Sequence, residues 1–242
     1  MVNSVLAPLL SGLFPDNCSL CGLPSGRPLP LCGDCEQELS ANSSCCHRCA
    51  IPLARSSDSC APAVCGNCLR CAPAFERVIA PWLYCERIAH LIRRWKFDGE
   101  KRLTPLLASL WLGQAHGLDP VDVLIPVPLH WRRLWQRGFN QSEILCRALR
   151  SLSDAVSTGR LDHRSVRRNR PTAAQSGMNA KERAANLRGA FTAQGRYDNL
   201  RIAIIDDVFT TGATAAAMAA TLREAGATHI EVWCLARTPT PD

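Results

Sequence analysis

Long hydrophobic runs are missing from this chain of 242 residues. No apolar stretch approaches the roughly 18–20 residues needed to cross a bilayer, so no membrane span is expected. The N-terminus, MVNSVLAPLLSGLFPDNC, lacks a basic leading region and is broken by Pro8. It predicts a short helix capping the first module, not a signal peptide, and hence a cytoplasmic protein. Lysine is scarce: Lys96, Lys101 and Lys181 are the three among 28 basic residues. The rest are arginine, which suits bidentate phosphate contacts. Two glycine-rich phosphate motifs are missing as well. No Walker A lysine follows a glycine loop, and no G-x-G-x-x-G occurs, which excludes both common nucleotide-binding fingerprints.

The composition is that of a soluble globular protein, 47% hydrophobic and 20% charged. The length allows one full domain plus a small module. The net charge of +7 is unevenly spread. Residues 1–75 sum to −1, so the remainder carries +8, a balance that fits a phosphate-rich ligand.

Cysteine is abundant. Eleven of the fourteen lie between Cys18 and Cys71. This composition shift divides the chain into a cysteine-rich module, 1–75, and a second domain, 76–242. Four C-x-x-C pairs stand out: Cys18/Cys21, Cys32/Cys35, Cys46/Cys49 and Cys65/Cys68. Each pair places two sulfurs on one side of a tight knuckle, and two knuckles make a tetrahedral four-thiolate site for structural Zn2+. Pairing in chain order gives one or two such sites. A disulfide framework would need an oxidising compartment that nothing here indicates. Within the second site Cys45 can stand in for Cys46, Cys71 forms another C-x-x-C with Cys68, and Cys60 has no assigned role. Large apolar residues are few in this stretch, so metal supplies much of its folding energy.

The second domain reads as alternating helices and strands. Ile88, Leu91, Ile92 and Trp95 give ERIAHLIRRWKF (86–97) one apolar helical face, with Arg93, Arg94 and Lys96 on its solvated side. Thr104-Pro105 reads as N-cap and first helical residue of a helix to about His116. VDVLIPVPLH (121–130) is a buried central parallel strand. A helix follows from Asn140, an arginine-rich loop over 160–176, and a short helix over 179–191. Strand 201–205, a helix closed by Gly226, and strand 229–236 complete the domain. The predicted class is α/β, a mainly parallel sheet flanked by helices.

The sharpest motif is IAIIDDVFTTGAT. Asp206 and Asp207 end an apolar strand, and Thr210, Thr211, Gly212, Ala213 and Thr214 lead into a helix. Free backbone N–H groups at a helix start, with threonine hydroxyls beside them, suit one phosphate. The acids suit a diol or a Mg2+ shell. A phosphate next to a vicinal diol describes a ribose 5-phosphate. In open α/β sheets such ligands sit at the carboxyl edge of the strands.

VLIPVPLH, RGFNQSEIL, IAIIDDVFTTGAT and the cysteine module, in this order over nearly the whole chain, resemble the ComF/GntX family. These are type I phosphoribosyltransferase-like proteins linked to competence and the use of external DNA. The resemblance implies that fold and a binding site for 5-phosphoribosyl 1-pyrophosphate (PRPP) with Mg2+. Asp206 and Asp207 would face the ribose hydroxyls, and Thr210 to Thr214 would cradle the 5-phosphate. Pro126, Val127, Pro128 and Leu129 would form the pyrophosphate loop, with Arg132 and Arg133 behind it. Arg168, with Thr172, Gln175, Arg183 and Asn186, falls where this superfamily keeps a mobile loop. Arg137, Gly138, Asn140 and Gln141 recur in the family pattern without an assigned chemistry. Two functions follow as expectations. One is a phosphoribosyltransferase; the other is a non-catalytic PRPP- or nucleotide-binding factor that assists DNA uptake through single-stranded DNA or uptake proteins.

Overall fold

The computed structural model describes residues 17–54, 62–169, 187 and 189–239. The N-terminal capping helix, Cys60, the start of a helix at Asn179, and Thr172, Gln175, Arg183 and Asn186 lie outside the described residues. The cysteine-rich part carries two short helices, α1 (Gly33–Gln37) and α2 (Gly66–Arg70). The remainder runs β1 (Arg77–Ile79), β2 (Trp82–Leu83), α3 (Glu86–Phe97), α4 (Leu103–Gln114), β3 (Val123–Pro126), α5 (Trp131–Arg137), α6 (Gln141–Leu152), α7 (Asp154–Ser157) and β4 (Arg160–Leu161). It continues with β5 (Val166–Arg168), β6 (Phe191–Ala193), β7 (Arg201–Phe209), α8 (Ala213–Glu224) and β8 (His229–Arg237).

The main sheet has the order β1-β8-β7-β3-β4, all parallel, and β2 pairs with β8 beyond the end of β1. This is the mainly parallel sheet with flanking helices that the sequence predicts. β7 and β8 sit at its centre and are buried on both faces, which is why they read as apolar runs without alternation. Their residues divide between two cores. Ala203 and Ile205 join Trp95, Trp111 and Leu145 on the α3, α4 and α6 side. Ile202 and Ile204 join Met218 and Leu222 on the α8 side. The cysteine-rich part docks on both. Leu31 and Leu39 enter the first core, and Ala50 enters the second.

Local chemistry explains where elements differ from expectation. Thr104 is not a helix cap; Arg102 holds that position. The Thr104 hydroxyl instead accepts from the buried Trp95 indole at 2.9 Å and donates to the Lys101 carbonyl at 2.7 Å. Strand β7 does not stop at 205. The ladder with β8 continues to Phe209↔Arg237, so both acids lie within the strand. Residues 160–169 are not all loop. Arg160–Leu161 extends the sheet edge, and Val166–Arg168 pairs antiparallel with Phe191–Ala193, burying Val166 and Phe191. Phe191 therefore opens a strand where a helix end was expected. Asn140 caps α6 as its position suggests, its side chain accepting from Ser142 N at 3.0 Å.

Candidate functional site

The thiols form two clusters. Sγ atoms of Cys18, Cys21, Cys32 and Cys35 lie within 4.8 Å of one another, and so do those of Cys46, Cys49, Cys65 and Cys68. Zinc–sulfur bonds of about 2.3 Å in tetrahedral geometry put sulfurs about 3.8 Å apart. Cys21 and Cys32 are 3.9 Å apart, and Cys49 and Cys65 are 3.7 Å apart. A disulfide would need about 2.05 Å, and all described cysteines are free. The residues therefore fit two structural zinc ions.

The two knuckles are built alike. Gly22 at φ +78° and Ala50 at φ +54° turn the chain back after the first pair. Their N–H groups donate to the Cys18 and Cys46 carbonyls at 2.9 and 2.7 Å. Cys32 and Cys65 then cap α1 and α2. Cys45 pairs in a bridge with Pro52 and stays outside the second cluster, and Cys71 is exposed beyond α2. Burial, aided by neighbouring sulfurs, pushes the Cys35 and Cys68 thiols well above the ordinary range. A divalent cation offsets that cost of gathering thiolates.

The second site is an open cleft of about 630 Å³ at the carboxyl ends of β3 and β7. Asp206, Asp207, Thr210, Gly212, Ala213, Thr214, Val127 and Arg168 line it, as do Leu129 and Arg133. Pro126, Pro128, Arg132 and Thr211 are not among its lining residues. Pro126 is buried within β3. Arg132 lies over the Trp131 ring at 5.3 Å. The Thr211 hydroxyl accepts from Ala213 N at 3.4 Å, shaping the loop from outside.

The acid pair is held from two helices. Asp207 is buried and ion-pairs with Lys96 of α3. It also accepts from Gln141 Nε2 at 3.3 Å. Gln141 in turn accepts from Arg137 Nη1 at 2.6 Å. Asp206 accepts from Ser142 Oγ at 3.3 Å and from Asp207 N at 2.9 Å. Burial first, and the Asp207 charge second, push the Asp206 carboxyl up to about 7, with Lys96 opposing them. Asn140 Nδ2 donates to the Val127 carbonyl at 3.0 Å, tying the α6 cap to the β3 loop. So Arg137, Asn140 and Gln141 have a chemistry. Lys96 is not on a solvated face, as helical periodicity alone suggests.

Arg133, Arg137 and Arg168 line the same cleft. Burial lowers the guanidinium pKa of Arg137 and Arg168, and the charge of Arg133 lowers both further. An anion between them relieves that crowding. At the other end the loop meets the α8 N-terminus. Gly212 sits at φ +77°, and a Cβ there would lie 2.6 Å from the Phe209 ring. Gly212 gives α8 no side-chain cap, and Ala213, Thr214 and Ala215 of its first turn line the cleft.

A double zinc ribbon joined to a parallel α/β domain, with an acid pair and a helix start in one cleft, defines the class. The double zinc ribbon domain family matches residues 9–69. The DNA utilization protein YhgH of Salmonella typhimurium is 33% identical over 231 residues, covering 93% of this chain and 98% of that protein. Competence protein F of Haemophilus influenzae is 32% identical over 216 residues, covering 86% and 90%. Competence protein ComFC of Streptococcus pneumoniae is 30% identical over 158 residues, covering 65% and 67%. The chain belongs to the ComF family. Among the described residues no helix is long and apolar enough to cross a membrane.

Proposed function

We propose that the cleft binds PRPP, or a ribose 5-phosphate-containing nucleotide, with Mg2+, and that the protein is a phosphoribosyltransferase-family factor serving the use of external DNA. One observation carries this reading. An acid pair and a helix start without a side-chain cap share one strand–loop–helix, and Arg133, Arg137 and Arg168 line the same cleft. The 5-phosphate would rest on the α8 N-terminus, the ribose hydroxyls on Asp206 and Asp207, and the pyrophosphate against Arg133, Arg137 and Arg168. When bound, Mg2+ would supply charge neutralisation at the leaving pyrophosphate. The arginines would add fixed positive charge there, and the acids would favour a cationic ribosyl carbon. The relatives named for competence and DNA utilisation support the biological assignment; its place of action would be the cytoplasm.

A second reading is a regulator that holds PRPP without transferring it. It is favoured by Lys96, whose ion pair engages Asp207. In that reading single-stranded DNA or DNA-uptake proteins are the partners. Isothermal titration with Mg-PRPP tests what both share. Micromolar binding that weakens at least tenfold in Asp207→Asn is expected, and absence of binding refutes both. Pyrophosphate release across a panel of bases separates them, since silence with every base selects the regulator.

A further inference from the structure

Arg237 joins two sites that otherwise look separate. It closes β8 opposite Phe209 and is 9% exposed. Its Nε donates to the carbonyl of Cys49, a member of the second thiol cluster, at 3.0 Å. Its Nη1 donates to the Phe209 carbonyl at 3.2 Å, and the guanidinium stacks over the Phe209 ring at 5.3 Å. That ring fills the space a Cβ at Gly212 would need. One planar, rigid group therefore holds a metal-ligating residue and the point where β7 turns into the phosphate loop. The knuckle is fixed from its other side. Asn42 Nδ2 donates to the Ala50 carbonyl at 2.8 Å and to the Ala80 carbonyl at 3.0 Å. The first ribbon is anchored elsewhere, by Arg94 of α3 on the Ser19 carbonyl.

We propose that Arg237 makes the second four-cysteine site and the phosphate loop one coupled unit, in which metal at Cys46, Cys49, Cys65 and Cys68 and an anion at the α8 N-terminus each strengthen binding of the other. The proposal rests on the reading that this loop takes a phosphate. Residues that orient metal ligands through hydrogen bonds change metal affinity by about 10–100-fold when altered, and coupling between two sites is reciprocal. Arg237 acts as a positioning residue; it touches neither ligand.

The test follows zinc release from the full chain into a chromogenic chelator, with and without ribose 5-phosphate, whose binding is measured separately by calorimetry. One of two release phases should slow about tenfold with ribose 5-phosphate. In Arg237→Lys, which keeps the charge but cannot span both carbonyls, that phase should be fast and insensitive to ribose 5-phosphate, with the other phase unchanged. Binding by calorimetry with no response of either phase overturns the coupling, as does an equal response of both or an unaltered response in Arg237→Lys. If Arg237→Lys does not fold, the wild-type kinetics decide. No binding by calorimetry refutes the phosphate reading instead. The coupling is then read from hydrogen exchange across 207–214 in the wild type during zinc release. Loss of protection in step with one phase supports it, and protection retained until global unfolding overturns it.

Discussion

Burial makes the Asp206 carboxyl costly to ionise. Its pKa rises from 3.8 to about 7 because burial and Asp207 disfavour the charge. Unfolding restores the ordinary value, so between pH 4 and 7 the folded chain binds more protons than the unfolded one. Stability from this group is then present below about pH 4 and is lost as pH rises through 7. Asp206→Asn cannot ionise, yet its side-chain oxygen can still accept from Asp207 N. It should be more stable than the wild type at pH 8 by roughly 1–4 kcal/mol and about equal near pH 4. Thermal melts at the two pH values check this, and a gain that does not depend on pH refutes it. Lys96 works against the rise. Lys96→Met should therefore move the Asp206 titration upward, read by carboxyl carbon NMR. The acids themselves are legible in the sequence, because two adjacent carboxylates in an apolar strand are expensive without a use. Lys96 is not, because its position in α3 fits an exposed face equally well and only tertiary packing turns it onto Asp207.

At the scale of elements, the loop between β7 and α8, proposed above to seat a phosphate, depends on one backbone position. Gly212 combines a left-handed φ of +77° with the Phe209 ring 2.6 Å from any added Cβ. Gly212→Ala meets both a conformational penalty of about 1 kcal/mol and a clash that displaces the ring or the loop. Affinity for Mg-PRPP should fall at least tenfold while the far-ultraviolet spectrum stays that of the wild type. Unchanged affinity by titration calorimetry would mean that the loop does not seat the phosphate. Helical periods reveal α3 and α6, and an unbroken apolar run reveals β8, almost to the residue; β3 is shorter than the 121–130 run that announces it, covering only Val123–Pro126. The β5–β6 pair is not visible that way. Its arginine-rich strand has one buried residue, Val166, and finds its partner 25 residues later. Short strands with distant partners leave little period to read.

At the scale of the whole molecule, the cysteine spacing makes two metal sites legible but not what they support. The C-x-x-C pairs point to the sulfurs that gather but leave Cys45 and Cys71 open at the second site, which the structure resolves as Cys46, Cys49, Cys65 and Cys68; nothing in them tells that the two ribbons dock on opposite faces of the sheet. Leu31 and Leu39 complete the core beneath α3 and α4, while Ala50 completes the one beneath α8. The Trp82 indole, at the edge next to the ribbons, is 3% exposed and donates to the Leu110 carbonyl at 3.2 Å. Removing metal therefore removes walls from both cores at once, and the cysteine-rich part has too few apolar residues to hold its shape without metal. Purified protein should contain about two Zn2+ per chain, and calorimetry should show one cooperative transition. Excess chelator should lower the temperature of that single transition by ten degrees or more, on the order of several kcal/mol for a chain of this size. Two separate transitions, with the upper one untouched by chelator, would mean that the sheet domain stands alone and that the ribbons are appended rather than structural to it.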